Sequence, residues 1–306
     1  MTTPKPTAIL PPKSNTVFQL LFGDPRNIAI LADFLKAVLD IQDDEYQNIV
    51  IVNPYLQREY TDKKLGVVDL RVTTRSGQII HVEIQRDHYF AMKNRIVFYD
   101  SSLIAGQIGT GDEYEELKRV VSILITDYEL IAESPRYHHR FTLYDRHAAV
   151  EFSNLIEIRT LELTKLPNEP DVYLWHWLRF FRAETKEELD MVATASPVIR
   201  KATARVLKLS KDERARLIHE YEVKAWRDEQ ARLRYAIEKG KAEGIAEGEA
   251  RGEARGEARG EARGEARGRT EERIAFARNL LKRNRPIAEI AEDTGLSFDE
   301  IKNIAH

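Results

Sequence analysis

The sequence predicts an α/β domain followed by an all-α C-terminal region, and three observations carry that prediction. Two short stretches, Val67-Val68-Asp69-Leu70-Arg71 and His81-Val82-Glu83-Ile84-Gln85, alternate between apolar and polar residues and read as neighbouring strands. The run 119–126 is continuously β-rich after its arginine, which suits a strand buried on both faces. Beyond Pro170 the texture turns helical, through an aromatic run at 173–181 and a four-residue repeat to the C-terminus.

The first two stretches fix each other's register. With Arg75-Ser76-Gly77 as a three-residue loop and its glycine left-handed, Thr74 faces Gln78. Counting back sets Val68 against Ile84, Leu70 against Val82 and Val72 against Ile80, while Asp69 meets Glu83 on the other face. A slip of one residue would oppose Leu70 to Glu83 and mix apolar with charged groups along the ladder. Gln85 shares the Glu83 face, with Arg71 and His81 beside them. Two carboxylates across one rung have Cβ atoms roughly 5 Å apart and repel unless a cation lies between them. Magnesium or manganese meets that need, because such hard ions prefer oxygen donors, take few protein ligands and can activate a water beside a phosphodiester. The alternative is that Asp69 and Glu83 are solvated residues on an exposed sheet face, and spacing alone does not choose between the two.

From Phe18 to about Ile125 the chain resembles the Rpn family of recombination-promoting nucleases and transposases, within the PD-(D/E)XK nuclease superfamily. Val17-Phe18-Gln19-Leu20-Leu21-Phe22-Gly23 is similar to the family's opening motif, and Val67-Val68-Asp69 to its first catalytic strand. The stretch 77–85 is similar to its G…(I/V)ExQ strand, and Asn94-Arg95-Ile96-Val97-Phe98-Tyr99 and 114–125 to its later helix and strand. The resemblance implies a restriction-endonuclease-like mixed sheet flanked by helices, with Asp69 and Glu83 as ligands of Mg2+ or Mn2+. It places Gln85 where the superfamily has a catalytic lysine, a replacement this family uses. An amide can orient a water or phosphate but cannot stabilise an oxyanion as a cation would. Asn15 and Gln19 depart from the family, which often has an acidic residue and a lysine there. The implied activity is a DNA endonuclease linked to recombination, transposition or defence against foreign DNA. Two other readings stand beside it: a catalytically inactive DNA-binding or oligomeric assembly protein that keeps the fold, which Asn15 and Gln19 favour, and a nuclease directed at RNA.

Composition narrows the setting. The chain has 306 residues and 42% hydrophobic content, enough to bury a full core within more than one domain. It contains no cysteine, which excludes thiolate metal sites and disulfides and fits a reducing compartment. A formal charge of −3 exerts no global pull on nucleic acid, so DNA must be held by local clusters and bound metal. No run reaches the eighteen or so apolar residues of a membrane span, so a cytoplasmic protein without membrane contact is expected.

The remaining elements follow from period. Segment 1–14 reads as a disordered tail and 15–167 as the nuclease-like domain, opening with an amphipathic helix that carries Ile28, Ile30, Leu31, Phe34, Leu35, Val38 and Leu39. A second helix is expected over about 90–108, with Arg95 and Tyr99 one turn apart. They contact a scissile or flanking phosphate, or Arg95 lies over an aromatic ring as an ordinary snorkelling side chain. Edge strands are expected around 141–143 and 155–161, and the His138-His139 doublet, pointing to opposite faces, is a poor chelating pair. In the helical region 168–239, the aromatic run at 173–181 reads as core rather than as a stacking platform for bases. Glycine then recurs every fourth residue from Gly240 to Gly268, with five Gly-Glu-Ala-Arg units. A period of four excludes collagen, and on a helix it winds by about 40° per unit. Segment 240–270 therefore reads as a frayed, solvated spacer helix, or as a close-packed pair of helices in a homo-oligomer. Segment 271–306 should form a small helical hairpin resembling a helix-turn-helix, with Pro286 opening one helix and Ser297 capping the next. Asp299 and Glu300 at the start of that last helix would repel phosphate, so oligomer or regulatory contact is favoured over DNA reading.

Overall fold

The computed structural model describes residues 9–39, 43–46, 48–52, 70–88 and 90–305. The chain divides into two compact units, Met1–Arg227 and Asp228–His306. Of the tail expected at 1–14, residues 1–8 lie outside the described residues, as does Asp69, but 9–14 are not a loose tail: Ile9 and Leu10 are buried in the main core, and the Leu10 amide donates to the Ser210 hydroxyl at 2.8 Å.

The first unit opens with helix α1 (Asn15–Phe22), capped by Ser14, whose hydroxyl accepts from the Val17 amide at 3.2 Å. Helix α2 (Ile28–Val38) buries Ile30, Leu31, Phe34, Leu35 and Val38, the stripe its spacing predicts. Strands β1 (Val50–Ile51), β2 (Leu70–Thr73), β3 (Ile79–Gln85), β4 (Val120–Thr126), β5 (His138–Asp145) and β6 (Val150–Glu162) form one sheet in the order β1-β2-β3-β4-β6-β5. The β3–β4 and β4–β6 pairs are parallel and the others antiparallel, so the sheet is mixed. Helix α3 (Met92–Ala105) makes the crossover from β3 to β4.

The β2–β3 register is the one that hydrophobic pattern selects: Leu70 faces Val82, Arg71 faces His81 and Val72 faces Ile80. The turn closes through Thr74 N–H to Gln78 O at 3.0 Å, and Gly77 takes a φ of 89°, which glycine reaches without strain. The alternate side chains Leu70, Val72, Ile80, Val82 and Ile84 enter the main core with α1, α2, α4 (Tyr173–Arg182) and α6 (Pro197–Lys211). Helix α5 (Lys186–Val192) joins the same layer through Leu189 and Val192. The aromatic run of α4 is core, as expected: Trp177 and Phe181 pack with Phe22 and Phe34 at centroid distances of 5.3–5.9 Å. On the opposite face, Met92 and Ile96 of α3 cover Leu124.

One expectation needs correction. The stretch 155–161 is not an edge: it lies within β6, parallel to β4 on one side and antiparallel to β5 on the other. Strand β5, earlier in the chain, takes the outer position.

Helix α7 (Glu213–Lys282) runs for 70 residues and passes through the whole glycine repeat without a backbone break. Three of every four repeat residues are strong helix formers, which offsets the glycine cost. Ion pairs one turn apart form where repeat and flanking charges meet, Glu247–Arg251 at 2.6 Å, Glu265–Arg269 at 3.1 Å and Arg267–Glu271 at 2.9 Å. In the second unit, Ala277 and Leu280 of α7 pack with Ile290 of α8 (Ile287–Thr294), Leu296 and Ile301 of α9 (Phe298–Ala305). Gly295 ends α8 in the left-handed conformation. Ser297 and Glu300 then exchange hydrogen bonds as a capping box, so Glu300 serves the helix start.

Candidate active site

The face of β3 that points toward α3 carries His81, Glu83 and Gln85 in succession. Glu83 is the central one, buried to 3% exposure beside Leu124 of β4. A buried carboxylate demands positive charge nearby. Arg95 of α3 provides it, with Nη2 at 3.4 Å from Glu83 Oε1. The same guanidinium lies 5.6 Å from the ring centroid of Tyr99, one turn further along α3. The expected snorkelling contact is therefore present, and the structure adds a Glu83 contact that spacing could not reveal. Tyr99 is 40% exposed and reaches the surface beside this pair. Gln85, half-buried, ends β3, and its carbonyl accepts from the Asp127 amide at 3.0 Å, tying β3 to the end of β4.

Behind Glu83 runs a buried polar line. The Ser122 hydroxyl of β4 donates to Asp100 of α3, and His81 Nδ1 lies 3.3 Å from the same hydroxyl oxygen. With the serine proton committed to Asp100, the Ser122 oxygen accepts from His81 Nδ1–H. Burial pushes the Asp100 carboxyl up to about 6 against the opposing pull of Ser122 and His81. Its Oδ2 has no hydrogen-bond partner among the described residues. The sequence carried a faint signal for Asp100: it continues the spacing of the buried stripe Met92, Ile96, where an apolar residue would be ordinary.

A second cluster fastens the chain just after Gln85. Glu222 of α7 accepts from the amides of Asn15 at 3.1 Å and Thr16 at 3.0 Å and from the Thr16 hydroxyl at 2.7 Å, so it caps α1 from a distance. Arg86 reaches Glu222 at 3.5 Å and stacks 5.7 Å from the Trp226 ring, and Trp226 donates to Asp87. Burial pushes the Glu222 carboxyl up, but the contacts of His219, the Thr16 hydroxyl and the Thr16 and Asn15 amides outweigh it and bring it to about 2. No short-range pattern announces this cluster.

Hard divalent ions take carboxylate and carbonyl oxygens, and Glu83 and Gln85 offer those donors on one face. Among the described residues, no three His, Asp or Glu side chains gather as a metal-binding group. The His138 and His139 side chains diverge as expected, one toward Arg159 and the other toward Glu162.

A mixed sheet with an antiparallel hairpin, a buried glutamate on its second strand and a helical crossover to a parallel neighbour is the arrangement of a PD-(D/E)XK nuclease fold. The family model for PD-(D/E)XK nuclease family transposases matches residues 12–236, and the chain belongs to that family. Membership carries a nuclease-like or transposase-related function and DNA as the associated partner, in a family fold that usually works with divalent metals. No curated protein and no solved structure matches the chain. No helix among the described residues is long and apolar enough to cross a membrane.

Proposed function

We propose that the protein is a Mg2+- or Mn2+-dependent endonuclease that hydrolyses phosphodiester bonds in DNA. The observation that carries this reading is the buried Glu83 on β3 beside Arg95, and the proposal takes Asp69 as its partner across the ladder, as the sequence pattern expects. In this reading the two carboxylates hold the ion, which supplies an activated water and neutralises charge on the scissile phosphate. Gln85 orients that water or the phosphate through its amide. Arg95 balances Glu83 in the protein alone and turns to a neighbouring phosphate once another cation engages the carboxylate, with the Tyr99 hydroxyl beside it. The C-terminal helices are proposed as a contact between copies of the chain.

The test is nicking and linearisation of supercoiled plasmid with magnesium, manganese or EDTA, for wild type, Asp69→Ala and Glu83→Ala. Metal-dependent cleavage that vanishes in both variants supports the assignment. Absence of cleavage of plasmid, single-stranded DNA and RNA alike with either metal would sink it in favour of an inactive binding or assembly protein. Cleavage of RNA alone would move the substrate class. For the oligomer contact, sedimentation should distinguish the full chain from one ending before Gly240, and identical association states would remove that role.

A further inference from the structure

A cavity of about 250 Å3 opens between α2 and α6, in the helical layer on the opposite side of the sheet from α3. The buried Ile30 and the exposed Ala29 and Ala204 give its lining an apolar part, and four cations line it: Arg26, Lys201, Arg205 and Lys208. The chain as a whole is net negative at −3, so this concentration is local.

The fold does not require Lys201 and Lys208, whereas Arg26 and Arg205 balance the buried Asp24. The inner face of α6 buries Ile199, Ala202, Thr203, Val206 and Leu209, and that face does the packing. Lys201 and Arg205 stand four apart, and Arg205 and Lys208 three apart, so like charges adjoin along the outer face and repel. One carboxylate answers them. Asp24 holds Arg26 at 2.7 Å and touches Arg205 at 3.3 Å. Among the described residues, Lys201 and Lys208 have no carboxylate partner, and the buried Arg205 Nε–H has no acceptor. A buried donor without an acceptor is costly unless a ligand supplies one.

The geometry points to a binding site for a phosphate group in this cavity. The Arg26 and Arg205 guanidiniums offer planar forks to phosphate oxygens, Lys201 and Lys208 offer point charges, and the apolar lining at Ile30, Ala29 and Ala204 accepts the group that carries the phosphate. A phosphate can come from a free polyphosphate anion or from a nucleic-acid backbone. The site stands apart from Glu83 and does not depend on the nuclease reading.

The test is calorimetric titration of the full chain with inorganic pyrophosphate, using sulfate at matched ionic strength as control. Alongside it, anisotropy of a short fluorescent DNA duplex is measured in EDTA across a salt series. Wild type should bind pyrophosphate, and Lys201→Gln combined with Lys208→Gln should weaken it by roughly tenfold or more through loss of two charge-assisted contacts. Both lysines are exposed, so an unchanged circular dichroism spectrum and melting temperature are expected and verify the fold. Arg205→Gln should show the same loss, with Arg205→Lys recovering part of it. If the duplex binds and pyrophosphate does not, and the double variant's salt slope is shallower by about two, the phosphate belongs to a nucleic-acid backbone. Failure of both probes to bind wild type, or equal binding to wild type and variants of every probe that binds, overturns the proposal.

Discussion

Asp100 is a carboxylate with no exposed surface, held by one serine hydroxyl. Its folded pKa of about 6 lies above the ordinary 3.8, so the native state binds the proton more tightly than the unfolded chain. The stability this contributes is complete below pH 3.8 and is lost as pH rises through about 6. At pH 8 the ionised group therefore costs about 3 kcal/mol relative to pH 3. Asn at this position keeps an acceptor for Ser122 without the charge. Asp100→Asn should be more stable than wild type at pH 8, with the gain shrinking toward pH 4, as urea unfolding at several pH values would show. Arg95 poses the converse case. Arg95→Ala leaves Glu83 buried without its guanidinium, which costs about 3–5 kcal/mol. Added Mn2+ should raise the melting temperature of Arg95→Ala more than that of wild type if the ion and the arginine compete for the carboxylate. Equal shifts would exclude that competition.

At the scale of elements, what the sequence reveals depends on how local the determinant is. The β2–β3 register was legible because period-two alternation and one left-handed glycine suffice to set it. The aromatic helix was legible as core because apolar residues surround it. The two-residue strand β1 was not, since no periodicity exists over two residues. The inner position of β6 was not, because it depends on which partner takes each of its edges. At the site, Glu83, Gln85 and Arg95 were legible as residues, but the Arg95–Glu83 contact needed the crossover geometry, and Asp69 lies outside the described residues. The glycine repeat gives an element-scale prediction. Around each of its glycines, from Gly240 to Gly268, an added Cβ would meet nothing within 4 Å. Alanine at Gly252, Gly256 and Gly260 should therefore add helix stability of about 0.8–1 kcal/mol per site. Hydrogen exchange of the repeat amides should slow accordingly, and no slowing would mean that another contact covers the glycine stripe.

For the molecule as a whole, Glu222 is the residue that joins its distant parts. It caps α1, pairs with Arg86 next to the candidate site and sits on the helix that leads into the repeat. Its folded pKa of about 2 lies below the ordinary 4.5, so its contribution is present above pH 4.5 and is lost as pH falls through about 2. Glu222→Gln should cost about 3 kcal/mol at neutral pH, with the deficit shrinking on acidification. A deficit that stays constant down to pH 2 would mean the charge is not what holds this junction. The penalty should appear as a lowered melting temperature of the first unit and as faster exchange of the Asn15 and Thr16 amides.

That long-range cap also sets an order of events in time. Thr16 and Glu222 are 206 residues apart in the chain. At a synthesis rate of about 5–20 residues per second, the first leaves the ribosome roughly 10–40 s before the second. During that interval α1 has its own serine cap but lacks the carboxylate that accepts from its first amides, and its apolar face waits for α4 and α6. A nascent chain interrupted before Glu222 would therefore present an unfinished surface to chaperones. The repeat is the next segment to emerge, so the first unit closes while the tail is still being made.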